Sequence, residues 1–203
     1  MDLWKIEREL TLQGYFTICG VDEAGRGSLA GPVYAAAVIL PMELHISGLN
    51  DSKKLSAKKR DELYDIIIEK ALSYAVASAD HEEVDNFNIL NATFLAMNRA
   101  IDGLKNKPSI ALIDGNLNTG ISSNSRYIIG GDGKSASIAA ASIIAKVSRD
   151  RYMIRIAEKY PRYAFERHKG YGTKLHFENL NLHGPSDIHR ISFLGGVYRK
   201  EQI

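Results

Sequence analysis

The chain has 203 residues, of which 45% are hydrophobic and 25% charged, and its formal net charge is +2. This length and composition predict a folded globular protein with one substantial core, and they exclude a disordered chain. The longest apolar runs, such as residues 33–40, are far shorter than the ~20 residues that a membrane helix needs, so we expect no membrane association.

Hydrophobic periodicity predicts helices that alternate with strands. In chain order it predicts a helix at 2–13, strands at 15–21 and 33–40, a helix at 57–71, a strand at 72–79, a helix at 89–104, strands at 109–113 and 126–129, and helices at 135–159 and 173–182. This alternation favours an α/β fold, a mixed β-sheet flanked by helices. We expect the first two strands to pair antiparallel. Residues 1–160 would form the main domain, and residues 161–203 a C-terminal helical appendage packed on it.

Cys19 is the one cysteine of the chain, so an intrachain disulfide is impossible and we expect a cytoplasmic location. Its place inside a predicted strand favours a buried, inert thiol. The charged, amphipathic N-terminus has no signal-peptide core. The six histidines form no metal-binding pattern, and we expect them to be helix caps or surface groups.

Acidic residues stand at the ends of three predicted strands, namely Asp22 with Glu23, Asp114, and Asp132. Acids at strand ends commonly form turns. Ligands of open α/β sheets nevertheless collect at strand ends, so these carboxylates could converge there. Oxygen ligands of this kind suit magnesium or manganese. Because adjacent strand residues point to opposite faces, the chain must bulge or leave the strand if Asp22 and Glu23 are to face one site.

Asp150 is a competing carboxylate. It lies fifteen residues into the helix predicted from residue 135, roughly 22 Å from the helix start, so Asp132 and Asp150 cannot share one compact metal centre. Asp150 also follows Lys146 by four residues, which an ion pair on the helix surface explains. We therefore assign Asp132 to the site.

Basic residues are concentrated in two segments. Residues 146–174 hold nine Lys or Arg against three acids, and residues 51–60 hold five against one. Such segments are either solvated faces or phosphate-binding surfaces. The Gly-Arg-Gly triplet at 25–27 would allow backbone amides to approach a sugar–phosphate chain closely, and Tyr171, between glycines, could pack in the core or stack on a base or sugar.

Gly20–Val33 reads G-V-D-E-A-G-R-G-S-L-A-G-P-V, and further matching segments follow in order at 51–55, 113–115, 132–150, 170–173 and 189–193. Together these segments resemble ribonuclease HII, the bacterial type 2 ribonuclease H, over nearly the whole chain. Ribonuclease HIII carries a lysine within the glycine triplet, so Arg26 favours ribonuclease HII.

The resemblance implies an RNase H-like catalytic domain that cleaves the RNA strand of RNA–DNA hybrids. It also implies incision 5′ to single ribonucleotides in duplex DNA, leaving 3′-hydroxyl and 5′-phosphate ends. Its metal-binding acids correspond to Asp22, Glu23, Asp114 and Asp132. Two divalent ions, Mn²⁺ or Mg²⁺, would act in the active complex.

The resemblance also implies how substrate is bound. The residues that would read the 2′-hydroxyl are Gly25, Arg26 and Gly27, the junction-sensing tyrosine is Tyr171, and Lys53 and Lys146 would hold phosphates. The expected partners are RNA–DNA hybrids and ribonucleotide-containing duplex DNA. We see no sliding-clamp motif in residues 195–203 and expect a monomer with no protein partner.

Two other functions stay open at this stage. A related nuclease that recognises DNA structure would keep the acids without discriminating between sugars. A nucleic-acid-binding module without catalysis would keep the basic segments while its acids served only as turns.

Overall fold

The structure, a computed structural model, describes residues 2–49, 55–116 and 119–195. Within these ranges there are five strands, β1 Ile18–Ala24, β2 Val33–Ile39, β3 Ser73–Ala79, β4 Ile110–Asp114 and β5 Ser125–Ile128. Its seven α-helices in these ranges are α1 Lys5–Leu12, α2 Ala57–Lys70, α3 His81–Asp102, α4 Ala136–Ala157, α5 Phe165–His168, α6 Lys174–His183 and α7 Ile191–Leu194. Short 3₁₀ turns lie at Gly131–Gly133 and Pro161–Tyr163.

The strands form one mixed sheet in the order β3-β2-β1-β4-β5. Strands β1, β4 and β5 run parallel, while β2 pairs antiparallel with both β1 and β3. The predicted mixed sheet and the predicted antiparallel pairing of the first two strands are therefore confirmed. The parallel strands β1, β4 and β5 all end at the same edge, which is where the candidate site lies.

Helices cover both faces of the sheet, which explains why its central strands are apolar along their whole length. Helix α3 packs on one face, and α4 with α2 packs on the other. Residues of β1 alternate between these faces: Cys19 and Val21 are buried against the α3 side, whereas Gly20 packs against α4. Cys19 is buried, as predicted.

Helix α4 lies close to β1 because both surfaces are built from small residues. A Cβ on Gly20 would come within 2.0 Å of the backbone of Ser137, so only glycine permits this approach. Ser135 caps the helix by accepting a hydrogen bond from the amide of Ile138. The helix begins and ends within two residues of the prediction.

Helix α3 begins earlier than predicted. Asp80 and Glu83 form a reciprocal capping box, so the acidic run after β3 is the first turn of the helix and not a separate lead-in. Asn88, at φ 64° and ψ 162°, interrupts the helix within this first part. The predicted start at residue 89 corresponds to the helix beyond that interruption.

The C-terminal segment is bound to the loop that follows β1. The amide of Leu29 donates to the carbonyl of Gly170 at 2.8 Å, and the amide of Arg190 donates to the carbonyl of Leu29 at 2.9 Å. An isolated β-bridge joins Ser28 to Tyr171. The division into residues 1–160 and an appendage at 161–203 stays a prediction, and residues 196–203 lie outside the described ranges. Over the described residues, no helix is both long and apolar enough to cross a membrane.

Candidate active site

Three carboxylates meet at the sheet edge where β1, β4 and β5 end. One carboxylate oxygen from each of Asp22, Asp114 and Asp132 lies within 4.8 Å of the others. Asp22 comes from β1, Asp114 is the last residue of β4, and Asp132 lies in the 3₁₀ turn after β5. This spacing and these donors suit a divalent cation that prefers oxygen ligands.

Asp22 is the most buried of these three acids. Only 5% of its surface is exposed, and its carboxylate accepts the amide of Glu23 at 2.7 Å. Burial, followed by the negative charges of Glu23 and Asp114, raises the pKa of Asp22 well above its usual value, and a hydrogen bond with Ser142 of α4 opposes that shift. A cation at this position would relieve the repulsion that raises the pKa.

Asp114 also fixes the turn that carries Asp132. Its carboxylate accepts a hydrogen bond from the amide of Gly131 at 2.6 Å. Gly130 adopts a left-handed conformation at φ 62°, which turns the chain after β5. This one hydrogen bond therefore holds the turn that carries Asp132 next to Asp114.

Glu23 reaches the site differently from what the sequence predicts. Strand β1 stays in register with β2 through Asp22–Ala36, Glu23–Ala35 and Ala24–Tyr34, so the predicted bulge is wrong. Glu23 consequently points to the α3 face and lies outside the three-carboxylate group. It still borders the same cleft, because the side chain stands at the end of the strand.

The structure separates Asp150 from these acids. Its carboxylate lies 2.7 Å from the ammonium of Lys146, the predicted ion pair on the surface of α4. Asp132, and not Asp150, lies with Asp22 and Asp114.

A cleft of about 260 Å³ opens beside the carboxylates. The residues that line it are Asp22, Glu23, Ala24, Gly25, Arg26, Gly27, Arg60, Asp114, Ser142, Lys146 and Tyr171. Most of the site residues predicted from the sequence are thus brought together here. Asp132 belongs to the group of three carboxylates beside this cleft. Lys53 lies outside the described residues.

Two buried arginines, neither of which the sequence patterns indicated, hold the loop that follows β1 and carries the Gly-Arg-Gly triplet. Arg149 donates to the carbonyls of Pro32, Ala30 and Lys169 at 2.9, 3.2 and 3.0 Å. Arg190 donates to the carbonyls of Gly31 and Arg26, each at 2.9 Å.

These arginines also explain one glycine. Gly25 has φ +96°, and a Cβ there would come within 2.0 Å of the Arg149 side chain. Burial lowers the pKa of both guanidinium groups, to about 9 for Arg190. The signal that could have found them is weak, because an arginine in a basic segment normally predicts a solvated side chain.

The ring of Tyr171 lies beside two cations at the cleft. The Lys146 ammonium is 5.5 Å and the Arg149 guanidinium 5.3 Å from its centroid. Tyr171 is half-buried and lines the cleft. Arg26 is about half exposed, with a 3.5 Å contact to Glu23.

A second basic hollow of about 300 Å³ adjoins the cleft through Arg60. Its cationic lining residues are Arg60, Arg151, Arg167 and Lys169, and Asp61 and Asp150 are the acids among them. The basic segment 146–174 is therefore partly gathered on one surface next to the site.

The expectation that the histidines are caps or surface groups is wrong for three of them. His168, His176 and His189 are buried, with 7%, 0% and 1% of their surface exposed. They pack against Phe165 beneath the Tyr171 loop. Their spacing in sequence gave no sign of this, because the contacts join separate short helices and loops.

Comparisons with known proteins all point to the same family. The family model described as ribonuclease HII matches residues 19–195. The ribonuclease HII of Caldicellulosiruptor bescii is 56% identical over 194 residues, which cover 96% of this chain and 94% of that protein. The ribonuclease HII of Endomicrobium trichonymphae is 55% identical over 193 residues, covering 95% and 92%.

Solved structures agree. The ribonuclease H2 of Pyrococcus horikoshii has a TM-score of 0.72 at 25% identity, with 87% of this chain and 93% of that chain covered. The ribonuclease HII in a PCNA complex from Archaeoglobus fulgidus has a TM-score of 0.71 at 27% identity, covering 87% and 94%. A Bst-RNase HIII solved with Mn²⁺ shares the fold at a TM-score of 0.64 and 20% identity, covering 84% and 63%.

The RNase H-like sheet with acids at its edge places the chain among the type 2 ribonucleases H, which are metal-dependent nucleases. The match over residues 19–195 and the identity above 50% decide the family. The chain belongs to the ribonuclease HII family, which cleaves RNA in RNA–DNA hybrids.

Proposed function

We propose that the chain hydrolyses the RNA strand of RNA–DNA hybrids and also incises 5′ to single ribonucleotides in duplex DNA. The products would carry 3′-hydroxyl and 5′-phosphate ends. The observation that carries this proposal is the cleft that joins the carboxylates to Gly25, Arg26, Gly27 and Tyr171. One surface thus offers groups for phosphate chemistry beside groups that can contact a sugar.

Asp22, Asp114 and Asp132 would hold divalent ions, with Glu23 contributing from the opposite side of the β1 end. The donor set fits Mg²⁺ or Mn²⁺, since every candidate ligand is a carboxylate oxygen. Two such ions, when bound, supply activation of water and neutralise the charge that develops on the phosphate. The protein's part is to hold the acids in position through the amides of Glu23 and Gly131.

Gly25, Arg26 and Gly27 would place backbone amides against the ribose 2′-hydroxyl, the group that distinguishes RNA from DNA. The contact of Arg190 with the Arg26 carbonyl supports this role, because it restrains the backbone of a glycine-rich loop. Among the described residues, no neighbouring atom lies within 4 Å of a Cβ position on Gly27, so its α-carbon is open on that side. A sugar could therefore approach this backbone closely.

Tyr171 would stack on the deoxyribose that follows the ribonucleotide and so favour an RNA-to-DNA junction. Lys146 and Arg60 line the same cleft and would contact phosphates. Binding a phosphate would require Lys146 to share or leave its contact with Asp150. The phosphate role of Lys53 stays a prediction.

A set of matched duplexes tests this function. One duplex carries a single ribonucleotide, its twin is all DNA, and a third is an RNA–DNA hybrid, each incubated with Mg²⁺ or Mn²⁺. We expect cleavage of the first and third and none of the second. Equal cleavage of the first two would indicate a nuclease that recognises DNA structure, and binding without cleavage would indicate a non-catalytic module. Either result overturns the proposal.

Two aspartates provide a matched pair of variants in the same experiment. Asp114→Asn should abolish cleavage, since it removes a charge from the three-carboxylate group, while leaving a folded protein. Asp150→Asn should lower stability slightly and preserve cleavage, because a surface ion pair is worth at most about 1 kcal/mol. Full turnover by Asp114→Asn would contradict the metal site. Loss of activity in a folded Asp150→Asn protein would show that Asp150 had been wrongly left out of it.

A further inference from the structure

Three buried histidines lie beneath the loop that carries Tyr171. His168 and His176 stack with their ring centroids 4.3 Å apart, and the Nε2 atoms of His176 and His189 are 3.0 Å apart. All three pack against the ring of Phe165. The proposed chemistry uses none of them.

Backbone groups at the two ends fix the protons on His189 and His176. The amide of Ser186 donates to Nδ1 of His189 at 2.8 Å, so this nitrogen carries no hydrogen. At the other end, Nδ1 of His176 lies 2.9 Å from the carbonyl oxygen of Tyr171. A carbonyl can only accept, so Nδ1 of His176 must carry a hydrogen.

Only one arrangement of protons is then compatible with the contact between the two rings. A neutral imidazole holds one proton, so His189 carries it on Nε2 and donates to Nε2 of His176. Three hydrogen bonds therefore run in the same direction, from Ser186 through both rings to Tyr171. Charging either ring would set two N–H donors against each other, which agrees with a pKa lowered by burial to about 4 for both histidines.

His168 restrains the residue before Tyr171. Its Nδ1 accepts the amide of Gly170 at 3.2 Å, and its Nε2 donates to the carbonyl of Tyr163 at 2.8 Å. Gly170, at φ +82°, and Gly172 flank the tyrosine, and two glycines leave a loop with much conformational freedom. The histidines add a side-chain restraint to the backbone contacts that this loop makes with Ser28 and Leu29.

We propose that His189 and His176 are positioning residues that hold the Tyr171 backbone so that its ring faces the cleft. The relay, defined as Ser186, His189, His176 and the Tyr171 carbonyl, orders the loop before substrate arrives. A sugar that meets an already ordered ring does not have to order it, which favours binding. The inference deepens the proposed function and rests on Tyr171 contacting the sugar at the junction.

A double-mutant cycle on the single-ribonucleotide duplex tests the relay. His176→Phe keeps a ring of similar size and removes both hydrogen bonds, and we expect kcat/KM to fall at least about tenfold, chiefly through KM. In a Tyr171→Ala background the same change should cost less than about twofold, because the ring that the relay positions is absent. His176→Asn, whose amide nitrogen can take the place of Nδ1, should restore most of the loss. His183→Phe, at an exposed site in the same helix, is the control.

The outcomes separate two failures. If Tyr171→Ala leaves cleavage at the junction unchanged, the proposed role of Tyr171 fails, and the inference with it. If Tyr171→Ala is impaired but His176→Phe costs the same in both backgrounds, the relay alone is overturned and His176 is only structural.

A measurement on the unaltered protein does not depend on variants that fold. Nitrogen-15 NMR of the imidazoles at pH 7 should show hydrogen on Nδ1 of His176 and on Nε2 of His189. The opposite tautomer on either ring, or a charged ring, would overturn the relay.

Discussion

The two glycines that flank Arg26 differ in what their positions require physically. Gly25 is required by the fold, since it has φ +96° and Arg149 occupies the space where a Cβ would lie. Gly27 has an ordinary backbone conformation and, in the part of the chain that the structure describes, no neighbour within 4 Å of its Cβ position. Nothing in the described part of the protein requires glycine at 27, whereas the proposed contact with a sugar would require it.

Gly27→Ala therefore separates substrate contact from folding. We expect the free energy of unfolding to change by no more than about 0.5 kcal/mol. Cleavage beside a single ribonucleotide should fall at least about tenfold, because a methyl group would hold the sugar off the backbone amides. Urea unfolding and kcat/KM measure the two effects. Gly25→Ala is the contrast and should lose stability as well, and undiminished cleavage by Gly27→Ala would contradict the proposed contact.

The residue scale also shows what local sequence can predict. Asp22 and Asp114 stand at the ends of apolar strands and Asp132 follows one, so the rule that ligands collect at strand ends was sufficient to group them. Arg149 and Arg190 could not be predicted in this way. Apart from the Lys169 carbonyl, their partners are backbone carbonyls more than a hundred residues away, and burial of an arginine depends on those carbonyls being gathered first.

At the scale of elements, α1 is joined to α4 through one buried carboxylate. Glu7 accepts the hydroxyl of Ser135 at 2.6 Å and the amide of Ser137 at 3.1 Å. Both donors belong to the N-terminal end of α4, where the helix dipole favours negative charge. The amide of Ala136 also donates to the carbonyl of Leu3 at 2.9 Å. The start of the helix that supports β1 is thus held by the N-terminal helix.

Glu7→Gln should destabilise this joint without affecting the site. The amide keeps an acceptor for Ser137 but loses the charge, so we expect the free energy of unfolding to fall by about 1–2 kcal/mol. Glu9→Gln, at an exposed position of the same helix, is the control and should change stability little. Denaturant unfolding gives both values. Equal stability of the two variants would mean that the charge on Glu7 contributes nothing to the joint.

Elements were predicted well where their signals are local. The apolar runs of β1 and β2 and the serine cap of α4 lie within the elements that they define. The start of α3 was missed because its acidic first turn holds a single apolar residue, Val84, although the Asp80 and Glu83 capping pattern was available. The expected bulge after Asp22 failed for another reason: pairing with β2 continues to Ala24 and keeps the strand regular.

At the scale of the whole molecule, the site is a joint between the sheet edge and the C-terminal segment. The loop after β1 pairs with residues near Tyr171 and His189 through two isolated β-bridges. The alternation of helices and strands was enough to predict the fold class. No periodic pattern could predict these contacts, because the bridges from Ser28 to Tyr171 and from Ala30 to His189 link segments 143 and 159 residues apart in sequence.

The same joint makes stability depend on pH. His176 and His189 have pKa values lowered to about 4 by burial, against an ordinary value of 6.5. Between pH 6.5 and 4 the unfolded chain therefore binds more protons than the folded one, so stability is fully present above pH 6.5 and decreases as pH falls through this range. The limiting slope is about 1.4 kcal/mol per pH unit for each histidine.

Asp22 changes stability in the opposite direction as the pH falls, because its raised pKa makes the folded state bind a proton at a higher pH than the unfolded state does. A difference measurement removes that contribution. Urea unfolding gives the free energy of unfolding of the unaltered protein and of His176→Asn at about pH 7.5, 6.5, 5.5 and 4.5, a series that spans the histidine titration. The two curves of stability against pH should converge as the pH falls. The variant starts lower at pH 7.5 but lacks one titrating histidine, so it loses less. Parallel curves would contradict a neutral, buried His176 and would remove the physical reason for the fixed direction of the relay.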